Sequence, residues 1–268
     1  MSTATAESQL LLDLATSVGR EAAALVRRLR PEGRVPVADT KTSATDPVTA
    51  IDRASEELIR ARVAAARPGD GFLGEEGDTV VGTSGVEWVV DPIDGTVNFM
   101  YGVPAYAVSI AARRGDQVLA GFVVNVADGR EWGATLGGGA FRLDGTPRRI
   151  AAPAPPPVAH LLVATGFGYE PEVRAAQGES VARLLPQVRD VRRVGAAALD
   201  LCALAEGTVD AYVEQGLHPW DLAAGGLVAT EAGVLLAGLD GPPDRRLVMG
   251  AHPDVAAEYF ALVRACGF

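Results

Sequence analysis

The sequence has few cysteines and lacks long apolar runs, and these absences exclude several kinds of protein. Among 268 residues only Cys202 and Cys266 are cysteines, and they lie far apart. We therefore expect two buried free thiols rather than a disulfide or a thiol nucleophile. No apolar run approaches the ~20 residues that a membrane-spanning helix needs, so we predict no membrane partner.

Basic residues are also scarce. The chain has 24 Lys and Arg against 34 Asp and Glu, for a formal net charge of −10. Proteins that bind nucleic acids through phosphate contacts normally carry a basic stripe. Here the arginines are scattered, apart from a small cluster at Arg189, Arg192 and Arg193. The charge pattern argues against a nucleic-acid partner, although an acidic protein can bind phosphate when metal ions lie between them.

The first twenty residues lack a basic segment followed by an apolar one, and they include Glu7 and Asp13. This pattern is not typical of a signal peptide, so we expect a cytoplasmic protein. Hydrophobic residues make up 48% of the chain and charged residues 22%, as in ordinary globular proteins. The length suits one large domain or two small ones.

The first half combines helices with strands. Apolar residues at helical spacing predict a helix over residues 10–29, ended by Pro31, and a second over residues 49–66. The pattern then changes to short strands separated by Asp and Gly turns, which predicts an antiparallel sheet packed with helices. The predicted strands are residues 87–90, 107–112, 118–126, 132–136 and 140–143.

The proline-rich segment AAPAPPP, residues 151–157, reads as a stiff connector. We place a domain boundary there, which divides the chain into residues 1–150 and 151–268. Beyond it, strands and helices alternate, which predicts helices packed on a mixed or parallel sheet. The predicted strands are residues 160–164, 188–194, 209–214, 234–237 and 247–250, and the helices are residues 175–185, 196–205, 219–232 and 254–266.

The segment DPIDGT, residues 91–96, is the first candidate for chemistry. An apolar strand leads into Asp91, and Pro92 predicts a turn because proline cannot continue a sheet ladder. Two carboxylates at a strand end suit a hard divalent cation such as magnesium. The backbone N–H groups of Gly95 and Thr96 suit a phosphate oxygen. An ordinary turn built from Asp and Gly is the alternative.

Three further segments carry acidic residues that are candidates for metal binding or catalysis. Glu75 lies in the glycine-flanked loop of residues 74–77, close enough in sequence to strand 87–90 to share its sheet edge. Asp52 and Asp221 fall in the first turns of predicted helices, where a carboxylate is favoured in any case. Taken singly, Glu75 is better explained by a solvated surface turn, and a first-turn or capping role explains Asp52 and Asp221.

Taken together, the motifs resemble the inositol monophosphatase family, and within it most the bacterial inositol-1-monophosphatases. The motifs are DxVTxxD (residues 46–52), GEE (74–76), DPIDGTxNF (91–99) and WDxAAG (220–225). The resemblance covers nearly the whole chain. It implies a layered α-β-α-β-α sandwich of the α/β (α+β) class, with an antiparallel sheet first and a second mixed or parallel sheet after.

The resemblance also implies a magnesium-dependent phosphomonoesterase that uses two or three Mg²⁺ ions and forms no covalent phosphoenzyme. Thr96 and Glu75 would orient the attacking water, and Asp52 would hold Thr96. Lys41 is expected on a loop over the metals. The implied metal ligands are the carboxylates of Glu75, Asp91, Asp94 and Asp221 and the backbone carbonyl of Ile93.

For the substrate, the resemblance implies contacts in both halves of the chain. Ala196 departs from many relatives, which carry a hydroxyl residue there, so one polar contact is expected to be missing. His218 is either a substrate contact or simply a helix-start residue. Asp200 and the loop of residues 165–169 receive no role. The implied substrate contacts are Asp94, Gly95, Thr96, Gly195, Ala196, Glu214, His218 and Asp221.

The expected substrate is inositol 1-phosphate or a similar polyol phosphate. Histidinol phosphate, fructose 1,6-bisphosphate and 3′-phosphoadenosine nucleotides are the alternatives, because the same metal site serves all of them. The resemblance further implies lithium inhibition and a homodimer. A regulatory protein with a vestigial site, such as a partner of the transcription machinery, is a separate hypothesis, which the complete set of carboxylates disfavours.

Overall fold

The computed structural model describes residues 3–36, 39–40 and 47–268, so Lys41 and Asp46 lie outside the described residues. The chain begins with helix α1 (Thr3–Leu29), followed by the short paired strands β1 (Asp39–Thr40) and β2 (Pro47–Val48) and helix α2 (Ala50–Ala66). Apolar residues of α1 at positions 11, 15, 18 and 22 are buried, as their helical spacing predicts. The first two predicted helices are therefore confirmed.

Helix α2 begins with a reciprocal cap. The Thr49 hydroxyl accepts hydrogen bonds from the backbone N–H groups of Ile51 and Asp52, at 3.2 and 3.3 Å. In return, Asp52 Oδ2 accepts one from the Thr49 N–H at 3.0 Å. This exchange satisfies amides that the first helical turn leaves without partners. It also places Asp52 at the third helical position, where its carboxylate points back toward the start of the helix.

The first sheet has seven strands, in the order β3-β4-β5-β6-β7-β8-β9. All its pairs are antiparallel except β3 with β4, which is parallel. The sequence did not predict β3 or β9, because β3 has glycine at both ends and β9 contains two arginines, so neither shows an apolar run. The strands are β3 (Gly71–Gly74), β4 (Glu87–Asp94), β5 (Ala107–Arg114), β6 (Gln117–Asn125), β7 (Glu131–Thr135), β8 (Gly139–Arg142) and β9 (Arg148–Ile150).

Strand β4 passes through Pro92, so the turn predicted at this proline is wrong. Asp91 pairs with Ser109, and the next pair on this strand joins Asp94 to Ala107, so three residues of β4 span two of β5. This bulge accommodates the missing N–H of the proline. The chain turns instead at Gly95, which has a φ of 87°, and helix α3 (Thr96–Tyr101) follows. Asp91 and Asp94 therefore both lie within one strand.

The second sheet is mixed, as predicted, with the strand order β11-β10-β12-β14-β13. Strand β10 is parallel to both β11 and β12, while β14 is antiparallel to β12 and β13. Strand β10 starts two residues later than predicted, because residues 158–160 form a 3-10 turn. These strands are β10 (Leu162–Thr165), β11 (Asp190–Arg192), β12 (Ala211–Glu214), β13 (Leu235–Ala237) and β14 (Val248–Ala251).

Helices separate and cover the two sheets. Helices α1 and α2 pack on one face of the first sheet, and α5 (Ala197–Glu206) and α6 (Pro219–Glu231) lie between the sheets. Helix α4 (Pro171–Leu184) and α7 (Pro253–Ala265) lie with the second sheet, α7 against β14. The predicted α-β-α-β-α layering is confirmed.

Helix α6 approaches the first sheet closely because it carries small residues. A Cβ added to Gly121 on β6 would lie 2.9 Å from the Ala224 Cα. One apolar cluster accordingly combines strand residues such as Val123 with α5 and α6 residues such as Cys202 and Leu227. This core draws on both halves of the chain. The division into two domains at residue 150 stays a prediction.

Two further predictions concern the cysteines and the membrane. Cys202 and Cys266 are both free and buried, as expected. Within the described part of the chain, no helix combines the length and the apolar character needed to span a bilayer.

Candidate metal and phosphate site

Three carboxylates from distant parts of the chain converge. Asp91 and Asp94 come from the bulged end of β4, and Asp221 comes from the first turn of α6. Each offers one oxygen, and these oxygens all lie within 4.8 Å of one another. Asp91 and Asp94 are buried and Asp221 is half-buried. Carboxylate oxygens at this spacing are the donors that hard divalent cations prefer, so the donor set suits Mg²⁺.

Backbone amides orient each of these side chains. Asp91 Oδ1 accepts a hydrogen bond from the Ile93 N–H at 3.0 Å. Asp94 Oδ2 accepts one from the Ala198 N–H in the first turn of α5, at 2.8 Å. Asp221 Oδ2 accepts one from the His218 N–H at 2.6 Å, which also caps α6. The carboxylates are therefore held in position by the backbone itself.

The local electrostatics favour a bound cation. Burial raises the pKa of Asp94 to about 7, the Ala198 amide opposes this rise, and the charges of Glu214 and Glu75 add to it. Burial also raises the pKa of Asp221 well above its usual range, and the charges of Glu75 and Asp94 again add to the rise. Buried like charges repel one another, and a divalent cation among them relieves that repulsion.

Glu75 approaches the same edge of the sheet. Strand β3 runs parallel to β4, Gly74 pairs with Val90, and the Glu75 N–H donates to the Val90 carbonyl at 3.2 Å. Glu75 thus leaves β3 next to the point where Asp91 follows Val90 on β4. The shared edge predicted from sequence is confirmed. Glu75 is not one of the three carboxylates within 4.8 Å, but its charge raises the pKa of Asp94 and of Asp221.

Asp52 and Thr96 contact each other, as predicted. The Thr96 hydroxyl lies 3.2 Å from Asp52 Oδ1 and 3.1 Å from the carbonyl of Ile93, so both oxygens are acceptors for its single hydrogen. Asp52 also makes a short hydrogen bond with the Thr49 hydroxyl. The start of α2 therefore fixes the start of α3.

Gly195 and Ala196 pack behind the turn at Gly95. A Cβ added to Gly95 would lie 3.0 Å from the carbonyl oxygens of Ala105 and Gly195, and 3.2 Å from the Ala196 Cβ. Together with its positive φ, this crowding requires glycine at position 95. Ala196 is buried, and its side chain faces Gly95. Its expected substrate contact stays a prediction.

Glu214 and His218 lie in and after the strand that leads to α6. The Tyr212 hydroxyl donates to Glu214 Oε2 at 2.7 Å. Burial raises the pKa of Glu214 to about 7, against the effects of Tyr212 and Arg193. The His218 ring stacks on Trp220 at a centroid distance of 4.7 Å, while its backbone caps α6. The helix-start role of His218 is therefore present, and its substrate contact stays a prediction.

Comparisons with known proteins agree with this geometry. The profile of the inositol monophosphatase family matches residues 7–267. The chain belongs to the inositol monophosphatase family. The inositol-1-monophosphatase of Mycobacterium bovis is 44% identical over 96% of this chain and 94% of the relative, and that of Mycobacterium leprae is 44% identical over 94% and 92%. The solved structure of Mycobacterium tuberculosis SuhB superposes with a TM-score of 0.83, at 42% identity over 97% of each chain.

In this member of the inositol monophosphatase family, buried polar residues that the sequence did not single out also contact the segments of the site. Ser55 and Glu56 on α2 are buried and contact the site segments. Their spacing of three and four residues from Asp52 places them on the same helix face, which was a usable clue. Asn98 donates from Nδ2 to the carbonyls of Ala105 and Val194, at 2.8 Å each, and so joins α3 to the segment before α5.

Asp200, which has no role predicted from sequence, lies close enough to the site for the charges of Glu214 and Asp94 to act on it. It is buried in α5, and among the described residues its Oδ2 has no hydrogen-bond partner. Burial raises its pKa well above the usual range, and the charges of Glu214 and Asp94 add to the rise. Asp200 thus extends the acidic region from the cluster of Asp91, Asp94 and Asp221 toward Glu214.

Proposed function

We propose that this protein is a magnesium-dependent phosphomonoesterase that hydrolyses inositol 1-phosphate or a similar polyol phosphate. The observation that carries the proposal is the meeting of Asp91 and Asp94 with Asp221, beside the Thr96–Asp52 pair. The relatives from Mycobacterium bovis and Mycobacterium leprae bear the name inositol-1-monophosphatase, which supports the substrate class.

In this proposal the carboxylates of Glu75, Asp91, Asp94 and Asp221 hold two or three Mg²⁺ ions, together with the backbone carbonyl of Ile93. Magnesium bound there supplies Lewis-acid activation of water and neutralises charge on the phosphate. The amides that orient Asp91, Asp94 and Asp221 hold these ligands in place before any ion binds. Such pre-organisation reduces the rearrangement needed when the ions bind.

The water that attacks phosphorus is oriented by Thr96 and Glu75. Asp52 fixes the Thr96 hydroxyl, which leaves that oxygen able to accept a hydrogen bond from the water. The N–H groups of Gly95 and Thr96, at the start of α3, bind a phosphate oxygen. The water oxygen forms the new P–O bond as the ester P–O bond breaks, and the alcohol leaves with a proton. No protein atom becomes phosphorylated.

The alcohol part of the substrate lies toward the second half of the chain. Glu214 accepts hydrogen bonds from substrate hydroxyls, and Asp221, His218 and the Gly195–Ala196 segment complete the pocket. The Tyr212 hydroxyl holds Glu214 in place at 2.7 Å. Because Ala196 has no hydroxyl, we expect one polar contact fewer than in relatives with Ser or Thr at that position.

Phosphate release from inositol 1-phosphate, measured with and without Mg²⁺, tests the proposal. The substrate panel adds histidinol phosphate, fructose 1,6-bisphosphate and a 3′-phosphoadenosine nucleotide. We expect the highest kcat/KM on inositol 1-phosphate and inhibition by lithium. Absence of magnesium-dependent turnover on every substrate would refute the phosphatase assignment and favour the regulatory alternative.

We further propose a cytoplasmic homodimer, by resemblance to the family. Sedimentation at micromolar protein concentration measures the assembly state directly. A monomer mass there would overturn the dimer without affecting the phosphatase proposal.

A further inference from the structure

Helix α2 buries polar side chains on the face that points toward the site. Asp52 and Ser55 are 0% exposed and Glu56 is 3% exposed, although a buried helix face is normally apolar. Each of the three holds a different segment. Asp52 accepts from Thr96, Ser55 Oγ donates to the Pro92 carbonyl at 3.2 Å, and Glu56 Oε2 accepts from the Glu76 N–H at 2.7 Å.

The Glu56 contact lies directly beside Glu75, because Glu76 is the next residue. Arg60, one turn further along α2, completes the arrangement. Its Nη2 donates to Glu56 Oε1 at 2.9 Å, and its Nη1 donates to the Asp78 carbonyl at 2.9 Å. The guanidinium also stacks over the Phe72 ring, at 4.3 Å from its centroid. Glu56 and Arg60 therefore bind the Glu75 loop, residues 74–78, at two points beyond Glu75.

The glycines of this loop fit the same arrangement. A Cβ added to Gly77 would lie 2.6 Å from Glu56 Oε1 and 2.9 Å from Arg60 Nη2, and a Cβ on Gly74 would overlap the Glu56 carboxylate. Neither glycine has a positive φ, so the backbone conformation does not require them. A side chain at either position would instead displace the Glu56 carboxylate from its place in the loop.

We propose that Glu56, paired with Arg60, is a positioning residue that holds the Glu75 carboxylate at the metal site. This inference rests on the proposed function, because a role in catalysis follows only if the metal site hydrolyses phosphate esters. The loop is bound to α2 at residues 76 and 78, and Glu75 leaves β3 beside the point where Asp91 follows Val90 on β4. Partners that orient metal ligands in this way change metal affinity or activity by about 10- to 100-fold when they are removed.

The test measures Mg²⁺ binding by isothermal titration calorimetry in variants of the clamp, that is, of Glu56 and Arg60 with their contacts to the Glu75 loop. Glu56→Ala removes both contacts, and Glu56→Gln keeps an acceptor for the Glu76 N–H but loses the charge that binds Arg60. Gly77→Ala disturbs the clamp without changing Glu56. Glu57→Ala is the matched control, since Glu57 is the next residue of α2 and is exposed.

We expect Glu56→Ala and Gly77→Ala to weaken Mg²⁺ binding by about 10- to 100-fold, with a smaller loss for Glu56→Gln. In the phosphatase assay the Mg²⁺ concentration for half-maximal rate rises by a similar factor and kcat falls. KM for inositol 1-phosphate at saturating Mg²⁺ changes less than about 2-fold, because the proposed substrate contacts Glu214 and His218 belong to β12 and the start of α6 and not to this loop. Glu57→Ala behaves as wild type.

Folded Glu56→Ala and Gly77→Ala proteins with wild-type Mg²⁺ affinity would overturn the inference and leave Glu56 as a fold-stabilising residue only. If Glu56→Ala does not fold, Gly77→Ala and Arg60→Met still decide the question by calorimetry. The two proposals can fail separately. If Glu56→Ala weakens Mg²⁺ binding but the wild-type protein hydrolyses no phosphate ester, the proposed function is refuted and the positioning role is supported.

Discussion

The backbone N–H of Ala198 donates a 2.8 Å hydrogen bond to Asp94 Oδ2. This bond joins a strand of the first sheet to the first turn of a helix that lies between the two sheets. The partial positive charge at the start of that helix stabilises the buried carboxylate. A proposed metal ligand in the first half of the chain is thus oriented by a residue more than a hundred positions later.

Replacing Asp94 tests its double role as ligand and buried charge. We expect Asp94→Asn to lower magnesium-dependent kcat/KM by more than about 100-fold, since loss of an indirect partner alone costs 10- to 100-fold. The same change removes a charge buried near Glu75 and Glu214, so the melting temperature of the metal-free protein should rise by a few degrees. Differential scanning fluorimetry in EDTA measures this. Asp116→Asn, at an exposed position, is the control.

The stability of the metal-free protein should depend on pH between about 4 and 7. Burial in the folded state raises the pKa of Asp94 and of Glu214 to about 7, from ordinary values of 3.8 and 4.5, and the folded state therefore binds protons more tightly than the unfolded chain. Stability from this source is greatest below the unfolded pKa values, falls as the pH rises toward 7, and levels off above it. Each group contributes at most about 1.4 kcal/mol per pH unit.

Melting temperatures in EDTA at pH 5, 6, 7 and 8 check this dependence, and we expect a fall from pH 5 to 7. Salt-bridged carboxylates such as Asp70 have lowered pKa values, so their effect lies at more acidic pH. Saturating Mg²⁺ should abolish or reverse the fall, because the bound cation compensates the carboxylate charges. A metal-free melting temperature that rises from pH 5 to 7 would contradict the electrostatics described above.

The Thr96 hydroxyl can be removed without changing the size of the side chain. Thr96→Val keeps the β-branched shape but loses the group that Asp52 holds, so we expect kcat to fall by about 100-fold or more, the range for groups that act on the reacting proton. Thr96→Ser retains the hydroxyl and should keep most of the activity. Steady-state kinetics at saturating Mg²⁺ separate the two, and equal losses in both variants would argue against a water-orienting role.

Two glycines in different packing environments should respond in opposite ways to substitution by alanine. A Cβ at Gly121 would lie 2.9 Å from the Ala224 Cα, so Gly121→Ala should destabilise the protein by about 1–3 kcal/mol. Gly178 is exposed in the interior of α4 with open space around it, so Gly178→Ala should stabilise it by about 0.5–1 kcal/mol. Urea unfolding at constant Mg²⁺ measures both, and a neutral Gly121→Ala would show that α6 moves away at little cost.

Elements with strong local patterns were predictable. Helices α1 and α2 carry a regular apolar stripe, and Thr49 with Asp52 marks the start of α2. The alternation of strands and helices after residue 157 predicted a mixed or parallel second sheet, and the sheet is mixed. Strands β3 and β9 were missed because Gly71–Gly74 has glycine at both ends and Arg148–Ile150 contains two arginines, so neither shows an apolar run. The turn predicted at Pro92 was wrong because β4 has a bulge there, and a bulge accommodates a residue without an N–H group.

By itself, the sequence determined which residues we propose for the chemistry, because the motifs that resemble the family contain them: Asp91, Asp94, Asp221, Glu75 and Asp52. Only the tertiary structure decided that Asp221 joins Asp91 and Asp94, since that contact depends on α6 packing between two sheets. It likewise decided that Glu56 holds the Glu75 loop. A glutamate on a helix has the same local pattern whether it faces water or a buried amide, and only the packing of α2 distinguishes the two.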